Sequence, residues 1–374
     1  MKSTLFSLAC ACLCLSACKK DPAAPAAPKA LTIGIVTDVG GRGDQSFNDS
    51  ALRGLESWAG AVKYVSGSYQ PLPAAERDLS LPKELAAQLT PIALKPIVVQ
   101  SKVQEDYQPN LQLLVDQGAA LTIGTGFALE NAVEAVARAN PAARFLLIDS
   151  PILDTKGTPI TLPNVRTVVF KEEEGSFLVG ALAGLVAKQK VGFVGGMEIP
   201  LIKKFEAGFR AGVKTTNPTA TVLVQYTGSF DNVAVGKQVA QDLLAKGCEV
   251  VFHAAGGDGN GVIQAVKEAR AAGALVYAIG VDSDQRHLAP DAMLTSMVKR
   301  VDLAVYQAVK DLSANRFTAG DSSMGLKEGG VAMAEVSLDF PGKAEALTKV
   351  AALQAKIIAG ELHVPATTAA LEAF

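Results

Sequence analysis

Short apolar runs alternate with helix-patterned stretches along most of the chain, and this rhythm restricts the fold more than any single motif. Runs that read as strands cover 31–37, 97–100, 121–124, 145–149, 165–170, 191–195, 221–226, 250–254, 275–280 and 293–297. Helical patterns between and after them include 48–60, 107–117, 128–140, 175–188, 201–217, 233–246, 259–272, 301–314 and 343–360. The strands are almost continuously apolar, as in a sheet covered on both faces. Alternation of this length predicts right-handed parallel βαβ units, an α/β fold.

The rhythm also repeats. LTIGIVTDVGG is echoed by KVGFVGGME, ALTIGTGF by CEVVFHAAGG and ARFLLIDS by LVYAIGVDS, in the same order. Two similar doubly wound parallel-sheet lobes joined by a hinge follow. With 374 residues, 49% of them hydrophobic, each lobe can bury its own core. Lobe 1 is expected over 31–150 plus about 281–320, and lobe 2 over 151–280 plus about 321–374. Ligands of open parallel sheets sit outside the carboxyl ends of the strands, so two such edges facing each other predict a cleft.

The first residues bear on where the chain works. Residues 1–17 read as a secretory signal, with Lys2 ahead of a short apolar stretch. Small residues before Cys18 resemble a bacterial lipobox, in which the cysteine is lipidated. The Pro/Ala-rich remainder of 18–30 suits a tether. An ordinary secretory signal with an incidental cysteine, or an uncleaved helix, is the alternative. With Cys10, Cys12 and Cys14 in the signal, Cys248 would be the one thiol left in the mature domain, and a packed, unreactive group. SFLVGALAGLVA, 176–187, is 12 residues long where a membrane helix needs about 20. It reads as a helix packed closely on a sheet. A net charge of −2 favours neither nucleic acid nor an acidic surface as partner. Residues 66–95 break the rhythm, with four prolines, no clear strand and one pair of helical turns around 83–89.

The loop after the first strand, TDVGGRGDQSFN, has the look of a phosphate loop. A dinucleotide loop needs G-x-G-x-x-G/A, whereas Gly41 and Gly43 are followed by Ser46. Asp38 and Asp44 would repel a phosphate at backbone amides. A neutral polar ligand is the expectation. Asp38, Asp149 and Asp282 each end a strand at repeat-related places, where a carboxylate could accept two bonds from a vicinal diol or merely cap a turn. Phe47 and Phe205 also occupy repeat-related places and could sandwich a flat ring, whereas Phe209 reads as core. His253, His287 and His363 are isolated, and no metal-ligand spacing or nucleophile elbow occurs, so no cofactor, metal or catalysis is expected.

The segments VTDVGGRGDQSFNDSALRGLE, DYQPNLQLLVDQGAALTIGTGFAL, NPAARFLLID, EEEGSFLVGALAGLVAK, VGFVGGMEIPLIKKFEAGFRAGV, the stretch GSFDNVAVGKQ to IQAVKEA, AIGVDSDQ and LTSMVKRVDLAVY resemble the basic membrane protein family. These are lipoprotein substrate-binding components of ABC importers, purine nucleoside receptors among them. The resemblance runs in order over about 31–330 and is looser beyond. It implies a type I periplasmic-binding-protein fold that closes on a nucleoside. By position, Phe47 and Phe205 would sandwich the base, and Asp38 and Asp149 would bind base or ribose edges. Asp282 and Lys299 would hold the ribose hydroxyls, with further contacts from Asn48 and Gly256. It implies a monomer anchored to a membrane by lipid, with a permease and an ATPase as partners. The 66–95 insertion departs from the family's pattern, and Arg42-Gly43 stand where it varies. A sugar receptor of the same fold, a nucleoside-cleaving enzyme and a signalling receptor remain alternatives.

Overall fold

The computed structural model describes residues 30–83 and 85–374, so the expected signal, Cys18 and all of the tether but its last residue lie outside the described residues. In chain order the strands are β1 (Leu31–Thr37), β2 (Val62–Val65), β3 (Ser68–Pro71), β4 (Leu94–Gln100), β5 (Leu121–Thr125), β6 (Phe145–Ile148), β7 (Ile152–Leu153) and β8 (Pro159–Ile160). They continue as β9 (Val165–Phe170), β10 (Lys190–Gly195), β11 (Thr221–Tyr226), β12 (Val250–Ala254), β13 (Tyr277–Asp282), β14 (Met293–Lys299), β15 (Gly320–Met324) and β16 (Val331–Met333). The α-helices are α1 (Phe47–Leu52), α2 (Ala74–Ser80), α3 (Tyr107–Asp116), α4 (Glu130–Ala139), α5 (Glu172–Val186) and α6 (Pro200–Thr216). After them come α7 (Val233–Ala245), α8 (Asp258–Ala271), α9 (Val301–Ser313), α10 (Lys343–Ile358) and α11 (Thr368–Glu372).

Two six-stranded sheets carry the fold, in the orders β15-β9-β6-β5-β1-β4 and β11-β10-β12-β13-β14-β16. All their pairings are parallel except β14 with β16. Read from the β4 edge, the first order matches the second strand for strand, so the sequence repeat is a topological repeat. The α/β class with two parallel-sheet lobes follows directly.

The lobe boundaries differ from those expected. β9 pairs with β6 in the first sheet, and β14 pairs with β13 in the second. Lobe 1 therefore runs to Phe170 rather than about 150, and the chain returns to it only after Lys299 rather than near 281. The repeated IDS and VDS segments end the fourth parallel strand of each sheet, and each lobe adds a fifth before the chain leaves. α9 packs on α1 and the segment after it, in lobe 1, while α10 and α11 pack on α5 and α6 in lobe 2. Three crossings result, near 171, 300 and 325–330. They are tied side by side, with Lys171 N donating to Met324 O at 3.1 Å and Arg300 N to Gly330 O at 2.8 Å.

Segment 176–187 forms most of α5, but Gly180 and Gly184 face a helix rather than a sheet. A Cβ on Gly180 would collide with the Phe209 carbonyl of α6, and one on Gly184 with Thr216. The region 66–95 also differs. Ser68–Pro71 pairs antiparallel with Val62–Val65 and a further helix falls at Ala74–Ser80, while the turns expected around 83–89 are present, Ala86 N donating to Pro82 O at 3.0 Å and Leu89 N to Leu85 O at 3.2 Å. Among the described residues no helix is long and apolar enough to cross a membrane.

Candidate functional site

The strand register decides which residues meet. In lobe 1, Thr37 is level with Gln100, and Val36 with Gly124. Asp38 and Gly126 therefore emerge at one edge, and Asp149, one residue past β6, joins them. In lobe 2, Gly195 is level with Ala254, and Asp282 with Val298. The two carboxyl edges face each other across a common cavity. Asp38, Phe47, Asn48, Asp149, Phe205, Gly256, Asp282 and Lys299 all line it. The geometry thus brings together every residue singled out for ligand contact, four from each lobe.

Asp149 and Asp282 occupy matching places with matching strain. Their φ angles are +73° and +62°, in the left-handed region that non-glycine residues seldom adopt. Both turn just past or at the end of their strands, which aims the carboxylates across the cleft instead of along the sheet. Gly126, at φ +112°, serves closeness instead. A Cβ there would stand 3.3 Å from Asp38 Oδ2 and 3.5 Å from Phe47 Cε1, where the wall is already filled.

The Lys299 ammonium is the electrostatic centre. It donates to Asp149 Oδ2 at 2.5 Å and pairs with Glu172 Oε1 at 2.9 Å. Three rings surround it, with the centroids of Phe170, Phe47 and Phe205 at 5.1, 5.3 and 5.6 Å. Burial alone would lower its pKa. Asp149, Glu172 and Asp282 outweigh that and hold it above its ordinary value, so it is charged. Burial raises the Asp149 carboxyl, against the opposing pull of Lys299.

Asp282 accepts from Ser46 Oγ of the other lobe at 2.5 Å, and burial pushes its carboxyl up to about 7. Asp38 is pushed up to about 6, again by burial, although its Oδ1 accepts from Gly40 N at 2.9 Å and Asn48 Nδ2 at 2.8 Å. Carboxylates held this close to neutrality gain when a ligand supplies donors that favour their charged form.

Asp44 lines the cavity too, yet its carboxylate is spent on the backbone. It accepts from the amides of Ser46 at 2.9 Å, Asn48 at 2.8 Å and Asp49 at 3.1 Å, and from Asn48 Nδ2 at 3.0 Å. The capping role open to the strand-end aspartates falls instead to this loop residue.

Four contributors escaped sequence reasoning. Phe127 and Phe230 line the cavity and meet edge to face with centroids 6.3 Å apart. Each follows a strand carboxyl end, β5 and β11, so the edge rule that selected the aspartates would have selected them. Glu172, 0% exposed, heads a run of three acids whose functional member nothing in the pattern distinguishes. Ser46 gains its role only from the approach of Asp282.

The remaining polar candidates are structural. His253 is buried, bonded through Nε2 to Gln285 Oε1 at 3.0 Å, and pushed down to about 4 by burial, so it is neutral. Cys248 is buried and its thiol is pushed up to about 11 by burial. Among the described residues no group of three His, Cys, Asp or Glu side chains is placed to hold a metal ion.

Known proteins resemble this chain in sequence and fold. Residues 32–368 match the family model Bmp, described as ABC transporter substrate-binding protein PnrA-like. The CD4+ T-cell-stimulating antigen of Listeria monocytogenes is 35% identical over 352 residues, covering 90% of this chain and 88% of its own. The ABC transporter nucleoside-binding protein BmpA of Lactococcus lactis is 31% identical, covering 94% of each. Among solved structures, an ABC transporter solute-binding protein from Aeropyrum pernix superposes with a TM-score of 0.73 at 27% identity. That match covers 92% of this chain and 96% of the other. The type I periplasmic-binding architecture and the substrate-binding role follow, and the chain belongs to the Bmp family of PnrA-like ABC transporter substrate-binding proteins.

Proposed function

We propose that the protein captures a purine nucleoside between its lobes and passes it, without chemical change, to a membrane permease and its ATPase. One observation carries the reading: Phe47 of lobe 1 and Phe205 of lobe 2 wall the same cavity as Asp38, Asp149, Asp282 and Lys299. Rings from opposite lobes suit a flat base, since base–aromatic stacking contributes about 1–3 kcal/mol per base. The carboxylates suit ribose hydroxyls and ring N–H groups, which donate. Four wall carboxylates against one ammonium, itself paired to Asp149 and Glu172, disfavour a phosphate and therefore a nucleotide. The Lactococcus relative is named for nucleoside binding.

Calorimetry on the chain from residue 30 tests this against guanosine, inosine, adenosine, free bases, pentoses and hexoses. Binding of a nucleoside well above its base or its sugar is the expected result. Tight binding of a pentose or hexose with no nucleoside bound would overturn it, and release of free base on incubation would make the protein an enzyme.

The anchoring belongs to the same proposal. Cys18 carries lipid, and 18–30 tethers a monomeric receptor to the membrane face from which the permease is fed. Full-length protein should sediment with membranes and Cys18→Ala should not. A cysteine variant that still sediments would remove the anchor.

A further inference from the structure

The loop between β1 and α1 supplies Asp38, Gly40 and Asp44 to the cavity, and Phe47 and Asn48 follow it. Within five residues it holds three positive φ angles, at Gly41 (+59°), Gly43 (+99°) and Gln45 (+58°). Gly41 and Gly43 take such angles freely, whereas Gln45 keeps its own only when its surroundings enforce it.

On its outer side the enforcement comes through Arg42. The guanidinium meets Glu56 at two points, 2.6 and 3.0 Å, and lies 4.7 Å from the Tyr64 ring centroid. Tyr69 donates to Glu56 Oε1 at 2.7 Å, and its ring meets Tyr64 edge to face at 5.3 Å. Tyr64 and Tyr69 face each other across the β2–β3 hairpin. The hairpin therefore completes both sides of the ion pair, covering the cation with one ring and bonding the anion with the other. Glu56 is 5% exposed, so the anionic half of the pair is shielded from the screening that weakens surface pairs.

On its inner side the same loop is gripped by lobe 2. Asn260 Nδ2 donates to Asp44 O and Gln285 Nε2 to Gln45 O, both at 3.1 Å, while Ser46 Oγ reaches Asp282. Backbone carbonyls can serve as the receiving half of a closure only if they already point the right way, because ordering them at the moment of closure costs affinity.

We propose that the β2–β3 hairpin is a strut that holds loop 40–46, through Tyr69, Tyr64, Glu56 and Arg42, in the shape lobe 2 grips, and so sets how long a ligand stays enclosed. Arg42, Glu56 and Tyr69 are positioning residues, since none of them lines the cavity. The second clause rests on the ligand-capture reading above, and the first does not.

The test uses the full chain with Tyr69→Phe, which keeps the ring and removes one bond, and Arg42→Leu, which removes the whole contact. Hydrogen exchange of the ligand-free protein is followed at the amides of 40–46, and guanosine dissociation by stopped flow. In Arg42→Leu both exchange in the loop and dissociation should quicken about tenfold, the loss expected for a charge-assisted bond, with association unchanged. Tyr69→Phe should show the same pattern more weakly, and it decides the matter if Arg42→Leu fails to fold. A purely structural hairpin would lower the melting temperature and loosen its own amides, leaving the loop and the dissociation rate at wild-type values. That outcome overturns the proposal. A wild-type protein that holds none of guanosine, inosine and adenosine defeats the nucleoside reading, and loop exchange still decides the strut.

Discussion

Single residues show how the site trades stability for binding. Burial pushes Asp282 up to about 7 from an ordinary 3.8, and Asp38 up to about 6. A carboxyl raised in the folded state holds a proton that the unfolded chain releases. The stability it lends is therefore complete below the ordinary value and lost as pH rises through the raised one. Ligand-free protein should melt higher at pH 5.5 than at pH 8, while nucleoside affinity should run the other way, because the charged carboxylate is the better acceptor. Melting and calorimetry at the two pH values check both signs; parallel trends would contradict the assignment. Asp282→Asn sharpens the point. Asparagine tolerates the left-handed backbone and removes the buried charge. It should weaken nucleoside binding by about 1.5–3 kcal/mol with no loss of melting temperature. Strand-end carboxylates and paired aromatics were legible in the sequence because the repeat placed them twice. That Asp44 is a cap, and that Glu172 is the acid Lys299 needs, depended on orientations no spacing encodes.

Whole elements were legible where apolar periodicity was long. Every parallel strand expected is present, most within two residues of its expected ends. The first helix shows the limit. It reads as one amphipathic run over 48–60 but is α-helical at Phe47–Leu52 and π-helical at Arg53–Ala59. Seven residues are too few for periodicity to tell 3.6 per turn from a wider turn. The β2–β3 hairpin was missed because its strands are only four residues each and the second, Ser68–Pro71, has no apolar alternation. Its turn was nonetheless written in Ser66-Gly67, both at positive φ (+48° and +89°), as a two-residue hairpin turn requires. The contact of α5 with α6 is the tightest test of element packing. Gly180→Ala must push the helices apart at the Phe209 carbonyl and should cost about 1–3 kcal/mol, read as a lower denaturation midpoint. An unchanged midpoint would mean that the two helices are not in close register.

At the scale of the molecule, the proposed capture is a movement of the lobes about the three crossings. Lys299 ends β14 and Arg300 begins the second crossing, so the ammonium that pairs with Asp149 sits where lobe 2 gives way to lobe 1. Nucleoside should reduce the radius of gyration in solution scattering, and a Lys299→Met variant should lose most of that change. Equal radii with and without ligand in the wild type would leave the cavity without a closing motion. The lobes and their facing edges were legible in the alternation and the repeat. The crossings were not, since a strand's sheet is chosen by its neighbour in space. That choice also has a consequence for how the chain acquires its shape. β15 and β16 begin eleven residues apart, at Gly320 and Val331, yet finish different sheets, one on each lobe. The first sheet begins at Leu31 but lacks its edge until Gly320–Met324 has been synthesised. Neither sheet can gain its last edge strand before that point in translation, and both gain it almost together, near the end of the polypeptide.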